Sequence, residues 1–310
     1  GMVLLRNEGG TLPLRPSAKL ALFGNTSYRM ITGGTGSGDV NEAYTVSLVE
    51  GLKAAGLAVD GALAEGYETH IAAEEKKQPA PARPFQPKPP IPERAVVPDE
   101  IARAAREADA AFVTLGRNAG EGRDRKVEDD FLLSAAERAL LQDVATAFHA
   151  QKKKVVVVLN IGGVIETASW RDVPDAILLA WQPGQESGHA IADVLTGRTP
   201  PSGKLATTFP MKWEDVPSSA NFPGKTLEGP DPNAQQQGPF RAGDRAAEVE
   251  YTDDIFVGYR HFATKGVKTA YPFGFGLSYT QFRYSALRLS SAELGGELQV
   301  TVTVTTTGGA

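Results

Sequence analysis

The chain reads as an α/β protein, a three-layer α/β sandwich with a mostly parallel sheet, followed by a partial all-β segment. Three observations predict this. Lys154–Asn160 (KVVVVLN) and Asp175–Trp181 (DAILLAW) are near-continuous apolar runs, the pattern of strands covered on both faces. Strand and helix patterns alternate from the N-terminus to about Pro210, which favours a parallel sheet between helix layers. Gln281–Leu289 and Glu297–Thr306 instead alternate and are rich in Thr, Val and Tyr, as antiparallel strands are.

Taken in order, Lys19–Gly24 reads as a short buried strand. Asn41–Ala55 reads as the helix after it, with Leu48, Leu52 and Ala55 on one face. Ala110–Gly116 is the next strand. The helix that follows starts near Ser134, where Ser134 and Glu137 have the spacing of a capping box. Glu186–Leu195 is a further helix. Gln78–Pro98 is packed with proline, which fixes φ and removes amide donors, so an extended surface loop is expected there. Asn221–Asp244, rich in Gly, Pro and Gln, reads as a linker or surface excursion. Two strands precede Ala310, and a lone hairpin is marginal in water, so the all-β segment reads as truncated. The expected organisation is a sandwich over residues 1 to about 215, linker and excursion over 216–280, and the all-β segment over 281–310.

Composition narrows the function classes. In 310 residues, 41% are apolar and 22% charged, ordinary for a soluble globular protein. The net charge of −5 leaves no basic field to condense on phosphates, so nucleic acid and anionic membrane surfaces are not expected partners. No apolar run approaches the roughly 18 residues of a membrane span. The absence of cysteine excludes disulfides and thiolate chemistry. His70, His149, His189 and His261 show no metal-ligand spacing, so no metal or cofactor is expected. The compartment stays open.

Two segments are candidates for chemistry. Gly33-Gly34-Thr35-Gly36-Ser37-Gly38-Asp39 lies between a strand and a helix, where backbone amides can cradle a ligand. It fails the nucleotide templates: Asp39 and Val40 stand where a P-loop needs Lys and Ser or Thr, and Asp39 takes the place of the third dinucleotide glycine. A ligand-lining loop and a purely structural turn remain as readings. The second segment, Gly116 to Arg125 (GRNAGEGRDR), leaves the carboxyl end of a strand, where open α/β sheets bind ligands. Glu121 stands there between glycines, with Arg117, Arg123, Asp124 and Arg125 to hold the loop or tune the carboxyl; the bland alternative is a solvated charged turn. Neither Ser37 nor Ser187 satisfies the Gly-x-Ser-x-Gly elbow of a serine hydrolase.

MVLLRNE through LPL at the N-terminus, GRNAGEGRDR, AWQPGQESGHAIADVLTGRTPPSGKLATTFP and PFGFGLSYTQF occur in order from end to end, and together they resemble glycoside hydrolase family 3. The resemblance implies the family's α/β-sandwich domain, with Pro272–Phe282 leading into its fibronectin type III-like domain. It implies Glu121 as general acid/base, Gly36, Ser37 and Gly38 bordering the sugar site, and Arg125 as a further substrate-side residue. The family's nucleophilic Asp lies on a TIM-barrel domain, and nothing here resembles it. GGTGSGDVNEAYTVSL and KPPIPE look like a subgroup of reversed domain order, so a barrel is expected to follow Ala310. The implied activity is retaining hydrolysis of terminal β-linked sugars, from oligosaccharides or aryl glycosides. β-Xylosidase and glucosaminidase specificities stay open, as does a non-catalytic carbohydrate-binding or interaction module. This chain alone is expected to be inactive, with Glu121 on a solvated loop titrating as an ordinary glutamate.

Overall fold

The computed structural model describes residues 1–79, 89–121, 124–228 and 247–308. The sandwich is built from β1 (Val3–Asn7), β2 (Lys19–Phe23), α1 (Leu48–Ala54), β3 (Ala58–Val59), α2 (Gly61–Glu75), α3 (Pro98–Glu107), β4 (Ala110–Arg117), α4 (Ala135–Ala150), β5 (Lys154–Ile161), β6 (Ala176–Leu179) and α5 (Ser187–Leu195). The six strands form one sheet in the order β1-β6-β5-β4-β2-β3. Neighbours run parallel except at one edge, where β1 is antiparallel to β6. Val155–Leu159 and Ile177–Leu179 are buried on both faces, as their unbroken apolar runs require. The helices pack in pairs against the sheet, α1 against α5 and α3 against α4, with α4 lying on β4 and β5.

This topology fixes where a ligand site belongs. The chain steps from β2 outward to β3 on one side, and from β4 to β5 and β6 on the other. Because β2 and β4 are neighbours, the loops leaving their carboxyl ends part in opposite directions and open a crevice, the switch point at which open sheets bind ligands.

The helix expected over Asn41–Ala55 starts only at Leu48. Ser47 caps it, accepting from the Glu50 amide while the Glu50 carboxylate takes the Ser47 amide, so residues before Ser47 lie outside the helix. At α4 the same device stands where it was expected, on Ser134 and Glu137. β6 stops before Trp181, whose φ of 59° is left-handed and cannot continue a strand. β1, α2 and α3 are additions, although the apolar spacing of Leu63, Ala64, Tyr67 and Ile71 in α2 is helical.

Beyond the sandwich come β7 (Phe209–Pro210), β8 (Lys225–Thr226), β9 (Ala247–Glu248), α6 (Tyr259–Lys265), β10 (Thr269–Tyr271), β11 (Phe282–Leu289) and β12 (Val300–Thr306). Part of the expected linker returns to the sandwich: β10 pairs with β7, Ala270 and Tyr271 are buried, and the Leu277 amide bonds the Leu4 carbonyl at 2.8 Å. The remainder of the expected surface excursion, residues 229–244, lies outside the described residues. β11 and β12 form an antiparallel hairpin on which Tyr284, Leu289, Val300, Val302 and Val304 are exposed.

Of the proline-rich stretch, residues 80–88 lie outside the described residues, and 89–97 run as an extended strap across the end of β2. The strap is pinned: the Asn25 side-chain amide donates to Pro92 O at 2.8 Å, and the Asn25 backbone amide to a Glu93 carboxylate oxygen at 3.1 Å. Burial pushes the Glu93 carboxyl up to about 7, against the Asn25 amide that pulls it down, with nearby Glu137 adding to the rise. A carboxyl raised on folding contributes stability at low pH that is lost as pH rises from the unfolded value through the folded one. Glu93→Gln is therefore expected to match the natural chain in thermal unfolding near pH 4 and to exceed it by about 3 kcal/mol at pH 8. A difference that does not change with pH would refute this.

Candidate active site

The loop leaving β4 is anchored by charge at both ends, a buried pair at the strand and a half-buried pair on the far side. Arg117, the last residue of β4, makes a two-point ion pair with Glu137 at 2.6 and 2.7 Å and donates from Nε to Asp130 O at 2.8 Å. Glu137 also belongs to the capping box of α4, so one carboxylate fixes both the strand end and the next helix. Arg125 ties the far side of the loop, donating to Asp130 Oδ1 at 2.6 and 2.9 Å and to Val164 O at 2.8 Å. Its guanidinium is spent on the protein rather than on Glu121.

Between these anchors, the β4 loop meets the glycine-rich loop that follows β2. The Thr35 and Gly120 backbones pair as a parallel bridge, with Thr35 N donating to Ala119 O at 3.2 Å and Glu121 N to Thr35 O at 3.3 Å, and Thr35 Oγ1 donates to Glu121 O at 3.0 Å. Contact this close explains two of the glycines. Gly36 has φ of 71°, and a Cβ there would lie 2.5 Å from the Glu121 Cβ; a Cβ on Gly120 would lie 2.4 Å from Thr35 N. The carboxylate is held by one residue: the Ser37 amide donates to Oε2 at 3.0 Å and the Ser37 hydroxyl donates to Oε1. Gly36, Ser37 and Glu121 are thus brought together, Gly38 closes the turn beside them, and Arg125 stands apart.

Below this contact lies a polar girder that the motifs did not reveal. Asn160, fully buried near the end of β5, donates to Ile31 O at 2.9 Å and Trp181 O at 2.8 Å, and accepts from the Ile31 amide at 2.7 Å. Gln182 donates to Gly33 O and to Asn118 Oδ1, both at 3.1 Å. The loops after β2, β4 and β6 are joined through these two amides. One signal pointed to Asn160, a polar residue closing an apolar strand run.

Glu121 is solvent-accessible, yet it does not titrate as the ordinary glutamate expected. The Ser37 hydroxyl, and then the Ser37 amide, hold its carboxyl below the usual range by bonding the charged form. A cavity of about 550 Å³ lies nearby, walled by Tyr28, Arg29, Thr32, Glu42 and Lys53, but Glu121 is not part of it. On this chain the candidate site is an open surface.

A domain with a carboxylate displayed at a sheet switch point, between glycine-built loops, fits one matching family model: residues 2–279 match the glycosyl hydrolase family 3 C-terminal domain. The chain belongs to glycoside hydrolase family 3. It is 35% identical to β-glucosidase A of Butyrivibrio fibrisolvens over 91% of this chain and 34% of that protein. It is 32% identical to an exo-α-(1→6)-L-arabinopyranosidase of Bifidobacterium longum over 99% of this chain and 35% of that protein. Among solved structures, β-glucosidase 3B from Thermotoga neapolitana in complex with α-D-glucose superposes with a TM-score of 0.86 at 46% identity, covering 99% of this chain and 40% of that one. The chain spans about a third of the length of the curated relatives it matches.

Proposed function

We propose that this domain supplies the general acid/base of a retaining, exo-acting β-glycosidase of β-glucosidase type, with Glu121 as the proton carrier. The observation that carries the reading is the placement of Glu121, accessible at the switch point and held in one geometry by the Gly36–Gly38 turn. In the proposed cycle a carboxylate of a separate barrel domain attacks the anomeric carbon while Glu121 gives its proton to the departing oxygen. The Glu121 carboxylate then takes a proton from water, whose oxygen attacks the glycosyl-enzyme and releases the sugar with retained configuration. Retention needs the two carboxyl groups about 5–5.5 Å apart, so the barrel must close over this open face. Gly36, Ser37 and Gly38 then border the sugar, and Arg125 stiffens the acid/base loop from its far side. No cofactor is needed. The names of the β-glucosidase relatives support glucose as the sugar, and the exo-α-(1→6)-L-arabinopyranosidase supports a second reading, a different terminal sugar.

The test reads the anomer first formed by the full-length enzyme from an aryl β-glucoside by NMR, beside the same assay on this chain alone. The β-anomer first, and no turnover by this chain, are expected. An α-anomer first would end the retaining mechanism. Turnover by this chain that Glu121→Gln abolishes would place the nucleophile within these residues and end the two-domain reading.

A further inference from the structure

Glu121 stands on a loop gripped by an arginine on either side, and both arginines turn to one residue. Arg117 lies four residues before Glu121 and Arg125 four residues after it. We propose that Asp130 is a positioning residue for Glu121, the post to which both flanks of the acid/base loop are tied. The proposal rests on the acid/base reading of Glu121.

The entry side is held by the Asp130 backbone, whose carbonyl oxygen accepts from Arg117 Nε at 2.8 Å. The exit side is held by its carboxylate: Oδ1 accepts from Arg125 Nη2 at 2.6 Å and Nε at 2.9 Å, and Oδ2 from the Lys126 amide at 3.2 Å. Charge-assisted bonds are the strong ones, and a planar guanidinium fixes direction as well as distance. The post is itself held in place. Asp129 has a left-handed φ of 57°, which Asp tolerates better than most residues, and Phe131 N bonds Lys126 O at 3.0 Å, so the turn folds Asp130 back onto the loop. Phe131 is buried edge-on against Trp213, and its carbonyl accepts from the Glu166 amide at 2.7 Å. Both arginines are seated as well, Arg117 in its pair with Glu137 and Arg125 on Val164 O, where a Cβ on Gly163 would lie 2.6 Å from the guanidinium.

Tying both flanks to one point removes conformations from the segment between them, so Glu121 is confined from both sides. For a general acid this confinement acts on rate, because misplacing a reacting group by about 1 Å can cost about 10²-fold. Removing the Asp130 carboxylate frees the exit side while the carbonyl still holds the entry. The Glu121 carboxyl then spends less time within reach of the departing oxygen, and only substrates that need its proton are slowed. A residue that merely stabilised the fold would slow every substrate by the same factor.

The test reads loop order in this chain and leaving-group dependence in the full-length enzyme. In the chain, Asp130→Ala should lower the heteronuclear NOE of the Glu121 amide in nitrogen NMR and leave the amides of β5 unchanged. In the enzyme, Asp130→Ala should lower kcat/KM on an unactivated β-glucoside about tenfold or more, and on a strongly activated aryl β-glucoside by less than about twofold. Asp130→Asn keeps the size of the side chain and the backbone carbonyl, and should show the same split at smaller size. Added to Glu121→Ala, Asp130→Ala should cause no further loss, because it acts through the missing carboxyl. A Glu121 amide as rigid in the variants as in the natural chain overturns the proposal. Losses of the same size on both substrates, or a further tenfold loss on top of Glu121→Ala, overturn it too. Failure of the acid/base reading shows separately, because Glu121→Ala would itself then slow both substrates alike, while loop order in the chain still decides whether Asp130 holds Glu121.

Discussion

Alanine at position 121 of the full-length enzyme is expected to lower kcat/KM on a β-glucoside with a poor leaving group by about 10²–10⁴-fold, the range of general acid catalysis. That is about 3–5 kcal/mol of transition-state stabilisation. On a strongly activated aryl β-glucoside the first step should be nearly unaffected, since the leaving oxygen departs without a proton. The second step still lacks its base, so the glycosyl-enzyme accumulates. Azide should then restore turnover and yield a β-glycosyl azide, because an anion attacks without needing deprotonation. The motivation is structural: Glu121 is accessible at the carboxyl end of the sheet and held by Ser37. Equal losses on both substrates with no azide rescue would remove Glu121 from the role.

The second large effect is on stability. Asn160→Asp keeps size and shape but loses both donated hydrogen bonds, leaving Ile31 O and Trp181 O unpaired beside a fully buried group. Each orphaned buried polar group costs about 1–3 kcal/mol, and an ionised carboxylate without a partner costs more, so a loss of about 3–5 kcal/mol at pH 8 is expected in urea unfolding. Burial should raise the new carboxyl's pKa. By linkage the variant is then less destabilised near pH 4, where it is neutral, and loses stability as pH rises. A variant within about 1 kcal/mol of the natural chain at both pH values would show that the loops do not depend on this amide.

Much of this was readable from local pattern. β4, β5 and β6 announce themselves because a strand covered on both faces must be apolar at every position. The Ser134 cap was legible because its partner Glu137 is only three residues away. The helix after the glycine run was placed too early, since the apolar spacing of Leu48 and Leu52 does not reveal that Ser47 stops it on the N-terminal side. Trp181 was read as strand for the same reason: its left-handed backbone is stabilised by Asn160, twenty-one residues distant, and leaves no local mark.

The sequence by itself determined the α/β class, the covered strands, the family and the two loops worth attention, because each is written in spacing over a few residues or in motifs. Only the tertiary structure decided that these loops are one site. Ser37 and Glu121 are 84 residues apart, and their contact exists because β2 and β4 are neighbours whose connections part in opposite directions. Strand order is a property of the folded sheet, and the pKa of Glu121 follows from it through the donors that the order brings within reach.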